Sequence, residues 1–590
     1  MPDRRIPQYF AACLAILAPA CIEPPPPIPP DGQANSGDPA KSTALLWEGR
    51  SPGDLYAAGE IRRFSLSQGD TLIGHTWGRY VGPEGEGSDV RHRFETRTEL
   101  LLPGRPPTRA EGMLLLDDDG HLLEGYERSD AVEVSFERKD NLLHLTDGTQ
   151  RDELLYEPER NDTAFMAHSA IFHEELMLGL RRLEDGALEW RVVSLSGGAP
   201  VEWEATVVRA PKQTGGLAKI RTNLGETITV ENGRLLRSEV RESGLIVESM
   251  PGVAKWPKWT IEGPPTLTYE QSGGGTFEVR PVELPGRPGE PALFGEVLIP
   301  PKAKTPIPAV LWVSGTGRED RHGFAGPPPV DLGSHEITDA LAEAGVVVLR
   351  FDDRGQGQSE AGPMSFTAQL EDLRRAYRTL VVQPEVDPDR IVVVAHGEGG
   401  LRALSLAVQQ GAGVSALALL ASPGRPYLDV LRDQGTAALA DVPPELRDKA
   451  AKQQRKMLEG LEAGEFPPEL RDHEQWLREV LRLDPAKMIK RIDAPIWLAQ
   501  GGKDFEVDPS VDPRALMAAT QARGKGKAAT IERYPELDHL FKPEPGRSTP
   551  ARYREPGRAV DPKFLADLTA WVVEVTKPAK KSQRGGKKKR

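Results

Sequence analysis

The spacing of apolar and polar positions changes character near the middle of the chain. Residues 43–250 carry short runs such as "IRRFSL", "TLIGHTW", "RFETRTELLL", "GMLLL", "HLLEGYE" and "AVEVSFER", broken by Gly, Asp and Pro. Alternation with a period of two, bounded by turn formers, predicts half-buried antiparallel strands. Asp119-Gly120 and Asn232-Gly233 mark tight hairpins, the second inside "TITVENGRLLRSEV". Only part of "AFMAHSAIFHEELMLGL" has a helical period. The pattern predicts an antiparallel β-rich domain over 43–250, a twisted sheet or half-closed barrel. Such a sheet serves either as plain scaffold or as a cradle for an apolar ligand.

Residues 251–276 are rich in Pro and Gly and predict a linker. From 277 to 576 the runs become continuous and apolar, as in "AVLWVSG", "VVVLRFD", "IVVVAHG" and "VSALALLAS". Amphipathic stretches such as "EITDALAEAG" and "TAQLEDLRRAYRTLV" separate them. Continuous apolar strands between helices predict a mostly parallel, doubly wound sheet covered on both faces. Residues 428–490 read as charged helices inserted before the strand "APIWLAQGG", placed to sit over the strand ends as a lid.

Composition adds constraints on partners. The net charge is -13, and the basic end 577–590 holds eight Lys or Arg, so the body is more acidic still. That balance argues against nucleic acid as the main partner, and the basic end reads as a solvated tail. At the start, Arg4 and Arg5 precede the apolar run "YFAACLAILAPAC", too short to span a bilayer and built like a secretory signal. Small residues lead into Cys21. This start, residues 1–21, resembles the lipobox of bacterial lipoproteins. The resemblance implies a lipid on Cys21, a membrane anchor, and a place in the cell envelope. Ile22 after the Cys, with no Asp there, implies the outer membrane. Ordinary secretion is the alternative. Residues 22–42 form a Pro-rich, then polar, tether. Cys13 and Cys21 are the two cysteines, and cleavage before Cys21 would leave none for a disulfide.

In a parallel sheet, ligands bind beyond the carboxyl ends of the strands. The segments found there are "SGTGREDRHG", "DDRGQGQSEAG", "HGEGG", Lys503-Asp504 and Asp538-His539. With "WVSGTGREDRHG", "DDRGQGQS", "HGEGG", "LDPAKMIKRIDAPIWLAQGGKD" and "LDHLF" in this order, residues 277–575 resemble the α/β-hydrolases of the esterase and serine-aminopeptidase-like group. The resemblance implies an α/β-hydrolase fold preceded by the antiparallel β-rich domain. It implies Asp504 as the triad acid and His539 as the general base, with backbone N–H groups near Thr316 and at Glu398 as the oxyanion hole. The elbow pattern of this fold is G-x-S-x-G. Here Gly397 stands in the nucleophile's place and Ala395 in that of the first Gly.

Gly397 has no side chain with which to attack a carbonyl. It does relieve the strain of a turn that needs positive φ. The expected function is therefore that of an esterase-like carboxylic ester hydrolase impaired or silenced at its nucleophile. A water activated by His539 is the route to weak residual turnover. The alternative is a non-catalytic envelope protein that binds a small-molecule ester or lipid-like ligand. The eleven His are scattered, and His168 and His173 miss the i, i+4 spacing, so neither a metal nor a cofactor is expected. "RGQGQS" lacks the Lys of a phosphate loop.

Overall fold

The computed structural model describes residues 51–578 apart from 70, 86, 102–106, 130–132, 147–150, 157–162, 167–170, 181–185, 195–200, 210–216, 223–224, 241–243, 262, 264–265, 272–275, 302–305, 316–318, 327–329, 410–412, 440–446, 467–469, 471–472, 525–528 and 556. Cys21, the tether, Thr316, His168 and most of the basic tail lie outside the described residues. Two compact units divide the described chain, one running to Thr266 and one from Leu267 onward.

The first unit opens with a short helix α1 (Pro52–Leu55) and holds strands β1–β15 in one antiparallel-dominated sheet. Its order runs backward along the sequence from β8 (Arg151–Leu155) to β1 (Ile61–Gln68). It then continues from β15 (Leu245–Ser249) back to β9 (Thr163–Met166). The alternation in the sequence translates directly. In β3 (Arg91–Leu100), His92, Phe94, Thr96 and Thr98 point inward and the charged residues between them outward. Asn232 and Gly233 both take positive φ at the hairpin between β13 (Glu226–Glu231) and β14 (Arg234–Val240), the conformation such two-residue turns require.

The stretch 164–180 is strand at its start and helix α2 (Ile171–Gly179) at its end. Phe172, Leu176 and Leu178 of α2 join Phe64, Tyr80 and Phe94 in the core of this unit. Gly78 is required by that packing, since a Cβ there would lie 2.1 Å from the Phe172 ring. The helix thus packs its apolar face onto the interior of the sheet. Its Glu175 is buried and accepts from Tyr56 Oη, Arg62 and the backbone N–H of Leu235. The segment read as linker is divided between the units. Trp256 lies against Arg79 and Arg97, and Trp259 against Arg97 and Arg109, in a cation–π ladder on the first unit. Tyr269 instead stacks on His322 and donates to Asp339, both in the second.

The second unit is built on an eight-stranded sheet. Its members in sequence are β16 (Glu278–Leu284), β17 (Leu293–Ile299), β18 (Ile307–Val313), β21 (Val347–Phe351), β22 (Val386–His396), β23 (Val414–Leu420), β24 (Ile496–Gly501) and β25 (Thr530–Tyr534). A two-residue ladder of β19 (Phe324–Ala325) and β20 (Val330–Asp331) stands apart. The spatial order is β16-β17-β21-β18-β22-β23-β24-β25, antiparallel at β16, β17 and β21 and parallel from β21 onward. The continuous apolar strands feed two cores. Ile391, Val393 and Ala395 of β22 enter one, and Val392 and Val394 the other.

Helices α4 (Phe366–Val381) and α5 (Gly399–Val408) cover the first face, and α3 (Ser334–Glu343) and α12 (Pro562–Val575) the second. The inserted segment forms α6 (Tyr427–Ala438), α7 (Arg447–Ala463), α8 (Glu474–Val480) and α9 (Pro485–Ile489). Leu458, Trp476, Leu477 and Ile489 of these helices are buried in the same core as α4 and α5, and Trp476 Nε1 donates to Gln369. The later helices α10 (Asp512–Gln521) and α11 (Pro550–Tyr553) complete the unit.

Candidate active site

The central strand β22 ends at His396, and α5 begins three residues later. Gly397 between them has φ of +51°, and its N–H donates to Leu420 O at 2.8 Å. A non-Gly residue in this left-handed conformation is strained. The glycines that follow are needed for close approach. A Cβ on Gly399 would lie 2.1 Å from Ser314 O, and one on Gly400 would lie 2.3 Å from Ser422 Oγ. The turn thus presents position 397 at the carboxyl edge of the sheet.

Asp504 follows β24 and His539 follows β25, so parallel neighbours bring them together. His539 Nδ1 donates to Asp504 Oδ2 at 2.9 Å. The same oxygen accepts from Gln500 Nε2 at 2.8 Å, and Asp504 Oδ1 accepts from the N–H groups of Glu506 and Val507 at 2.8 and 2.9 Å. These bonds fix the carboxylate, and it in turn fixes the tautomer and orientation of the ring. The other face of the site is set by His396. Its Nε2 donates to His539 O at 2.9 Å, and the two rings lie 4.6 Å apart. Burial, then the neighbouring His539, pushes the His396 imidazole down to about 3, so it stays neutral.

His539 behaves in the opposite way. Burial alone opposes its charged form, but the carboxylates of Asp504, Glu506 and Asp538 outweigh burial and raise it to about 9. Its Nε2 is buried with no hydrogen-bond partner among the described residues, and Glu506 Oε2 lies 3.7 Å away. Burial holds the Glu506 carboxyl above the ordinary range, while His539 pulls it back.

The strand end beside the elbow is held from below. Arg402 of α5 donates to Ser314 O and Gly315 O at 2.9 and 3.0 Å. Ser314 Oγ donates to Asp353, and Gly315 N–H to Glu319 Oε1 at 2.9 Å. Burial raises the Glu319 carboxyl to about 7. Glu398 sits at the start of α5, one residue after Gly397. Its side chain is buried, with Oε2 at 3.5 Å from Arg402. Asp504, His539, Gly397 and Glu398 therefore share one edge of the sheet, while Thr316 lies outside the described residues.

Sequence reasoning missed Arg402, Glu319, Asp353 and Glu506 as parts of this edge. Glu319 and Asp353 lie inside quoted motifs. Arg402 and Glu506 carry no signal beyond nearness to Gly397 and Asp504. Among the described residues no three His, Cys, Asp or Glu gather into a metal-binding group. The arrangement can orient a histidine and stabilise its charged form, but residue 397 supplies no attacking atom.

Comparison with known proteins agrees with this half of the chain. Residues 333–546 match the family described as serine aminopeptidase, S33. Esterase EstD of Thermotoga maritima is 26% identical over 307 residues, covering 51% of this chain and 68% of that protein. A Pyrococcus furiosus esterase structure covers 54% of this chain and 98% of its own, at 15% identity and a TM-score of 0.36. The ferulic-acid-bound Est1E of Butyrivibrio proteoclasticus covers 50% and 96%, at 15% identity and 0.32. The family match spans Gly397, Asp504 and His539 alike; over residues 333–546 the chain is similar to that family, and the C-terminal unit has the α/β-hydrolase fold.

Proposed function

We propose that this chain is an envelope-held, esterase-like protein whose hydrolytic site has lost its nucleophile and retains the pocket for an ester or acyl ligand. One observation carries the reading. Gly397 takes the strained turn of a nucleophile elbow, beside an Asp504–His539 pair joined at 2.9 Å. Attack on a carbonyl needs an oxygen or sulfur atom at the elbow, and Gly supplies neither. The surviving pair has no covalent step to assist, so turnover falls to what positioning and water provide.

The test is a restoration. The wild-type chain is expected to take no label from a serine-directed fluorophosphonate and to turn over short acyl esters barely above background. Gly397→Ser is expected to take the label and to release product. Absence of labelling in a folded Gly397→Ser protein at every pH sinks the reading. Envelope attachment rests on Cys21 and the apolar run before it. Palmitate incorporation that disappears in Cys21→Ser, with release of the protein from the membrane fraction, supports it. Unchanged fractionation of that variant refutes it.

A further inference from the structure

We infer that Glu506 is a clamp on His539: its carboxylate occupies the Nε2 side of the ring, where a nucleophile's hydroxyl would have to bond, and keeps that nitrogen from serving as a base. This rests on the reading of Gly397 as a disarmed elbow.

The two carboxylates come from one turn after β24 and flank one imidazole. Asp504 bonds Nδ1 at 2.9 Å, and Glu506 Oε2 stands 3.7 Å from Nε2. At 3.7 Å the second contact is an ion pair rather than a hydrogen bond. Glu506 is held in place through its backbone from two sides. Its N–H donates to Asp504 Oδ1 at 2.8 Å, and its carbonyl accepts from Gln434 of α6 at 2.9 Å. Tyr553 of α11 faces its carboxyl.

The loop after β25 adds Asp538, paired with Arg558 at 2.7 Å. β22 adds only neutral His396, and Tyr427 of α6 faces Glu506. The carboxyl groups around His539 are therefore those of Asp504, Glu506 and Asp538, and Arg558 is paired with Asp538. A general base must accept a proton through a free lone pair near its working pH. A ring with carboxylates on both sides keeps its proton instead, in accord with the rise to about 9. Restoring Ser at 397 would then return the nucleophile with its base still protonated near neutral pH, so turnover should grow toward alkaline pH.

The experiment has two independent readouts on the full-length chain. The first is the histidine NMR titration of the wild-type protein against Glu506→Gln, which keeps the shape of the side chain. The midpoint of His539 is expected to fall by about one unit or more in the variant. An unmoved midpoint overturns the clamp, whatever the protein's activity. The second is the pH–rate profile of Gly397→Ser and of Gly397→Ser/Glu506→Gln on p-nitrophenyl butyrate. The single variant is expected to gain rate about tenfold per pH unit up to its midpoint, and the double variant to be about tenfold or more faster at pH 7. Superimposable profiles overturn the clamp. If neither variant reacts while the His539 midpoint still shifts, the clamp stands and the proposed function fails.

Discussion

Two largely enclosed glutamates, one in each unit, meet their surroundings in different ways. Glu175 on helix α2 is sealed in the first unit with both oxygens used, by Tyr56, Arg62 and the N–H of Leu235. Glu506 in the second unit is less fully enclosed, and it leans toward a histidine nitrogen that has no hydrogen bond among the described residues. A buried charge is tolerated when every lone pair and proton is matched. Where the matching is complete, the group holds a fold together. Where bonding capacity is left over, the site retains something to offer a ligand or a reaction, and its neighbours control whether it can be used.

The widest separation between the two regions is expected in chemistry. In the Gly397→Ser background, Asp504→Asn should lower ester turnover by roughly 10⁴-fold, because the ring would lose its tautomer and the imidazolium its support. Steady-state rates of the two variants decide it, and equal rates would show that the Asp504–His539 pair has no catalytic competence. Next in size, Glu175→Ala should cost about 3–5 kcal/mol, since it leaves Arg62 without its buried partner. Glu506→Ala should cost less than half as much. Urea unfolding followed separately for the two units checks both, and similar losses would dissolve the contrast. Smallest is Gly397→Ala, expected to cost about 1–2 kcal/mol through its left-handed backbone alone. A shifted denaturation midpoint with unchanged slope confirms it, and a loss near zero would mean the turn relaxes.

Much of this was legible because local patterns agreed with the final structure. The period-two runs became strands, and Asn232-Gly233 became the tight turn its dihedrals require. The apolar runs of the second half became strands facing two cores. Gly397 was readable because strained turns have few solutions, and its φ of +51° is the one expected of an elbow. The fine structure of the site was not readable. Glu506 stands in "DFEVD", where a glutamate looks like any loop charge, and only the pairing of β24 with β25 sets it against His539. Arg402 lies on a helix whose apolar face hides its role, which is bonding to carbonyls 87 and 88 residues earlier. The linker concealed the most. Pro and Gly mark a break in the chain, but Trp256 and Trp259 bind its first part to a row of arginines.

The strand order of the first unit has a kinetic consequence. The sheet is two meanders, each built from neighbours in sequence, and they meet where β1 pairs with β15 through Phe64↔Ser249 and Leu66↔Val247. Hairpins within a meander close short loops, whereas this seam joins the two ends of the unit. The seam is thus expected to be the last ladder to form during folding. Until it does, β1 and β15 are bare edges open to pairing with another chain, so aggregation in this protein is expected to start there.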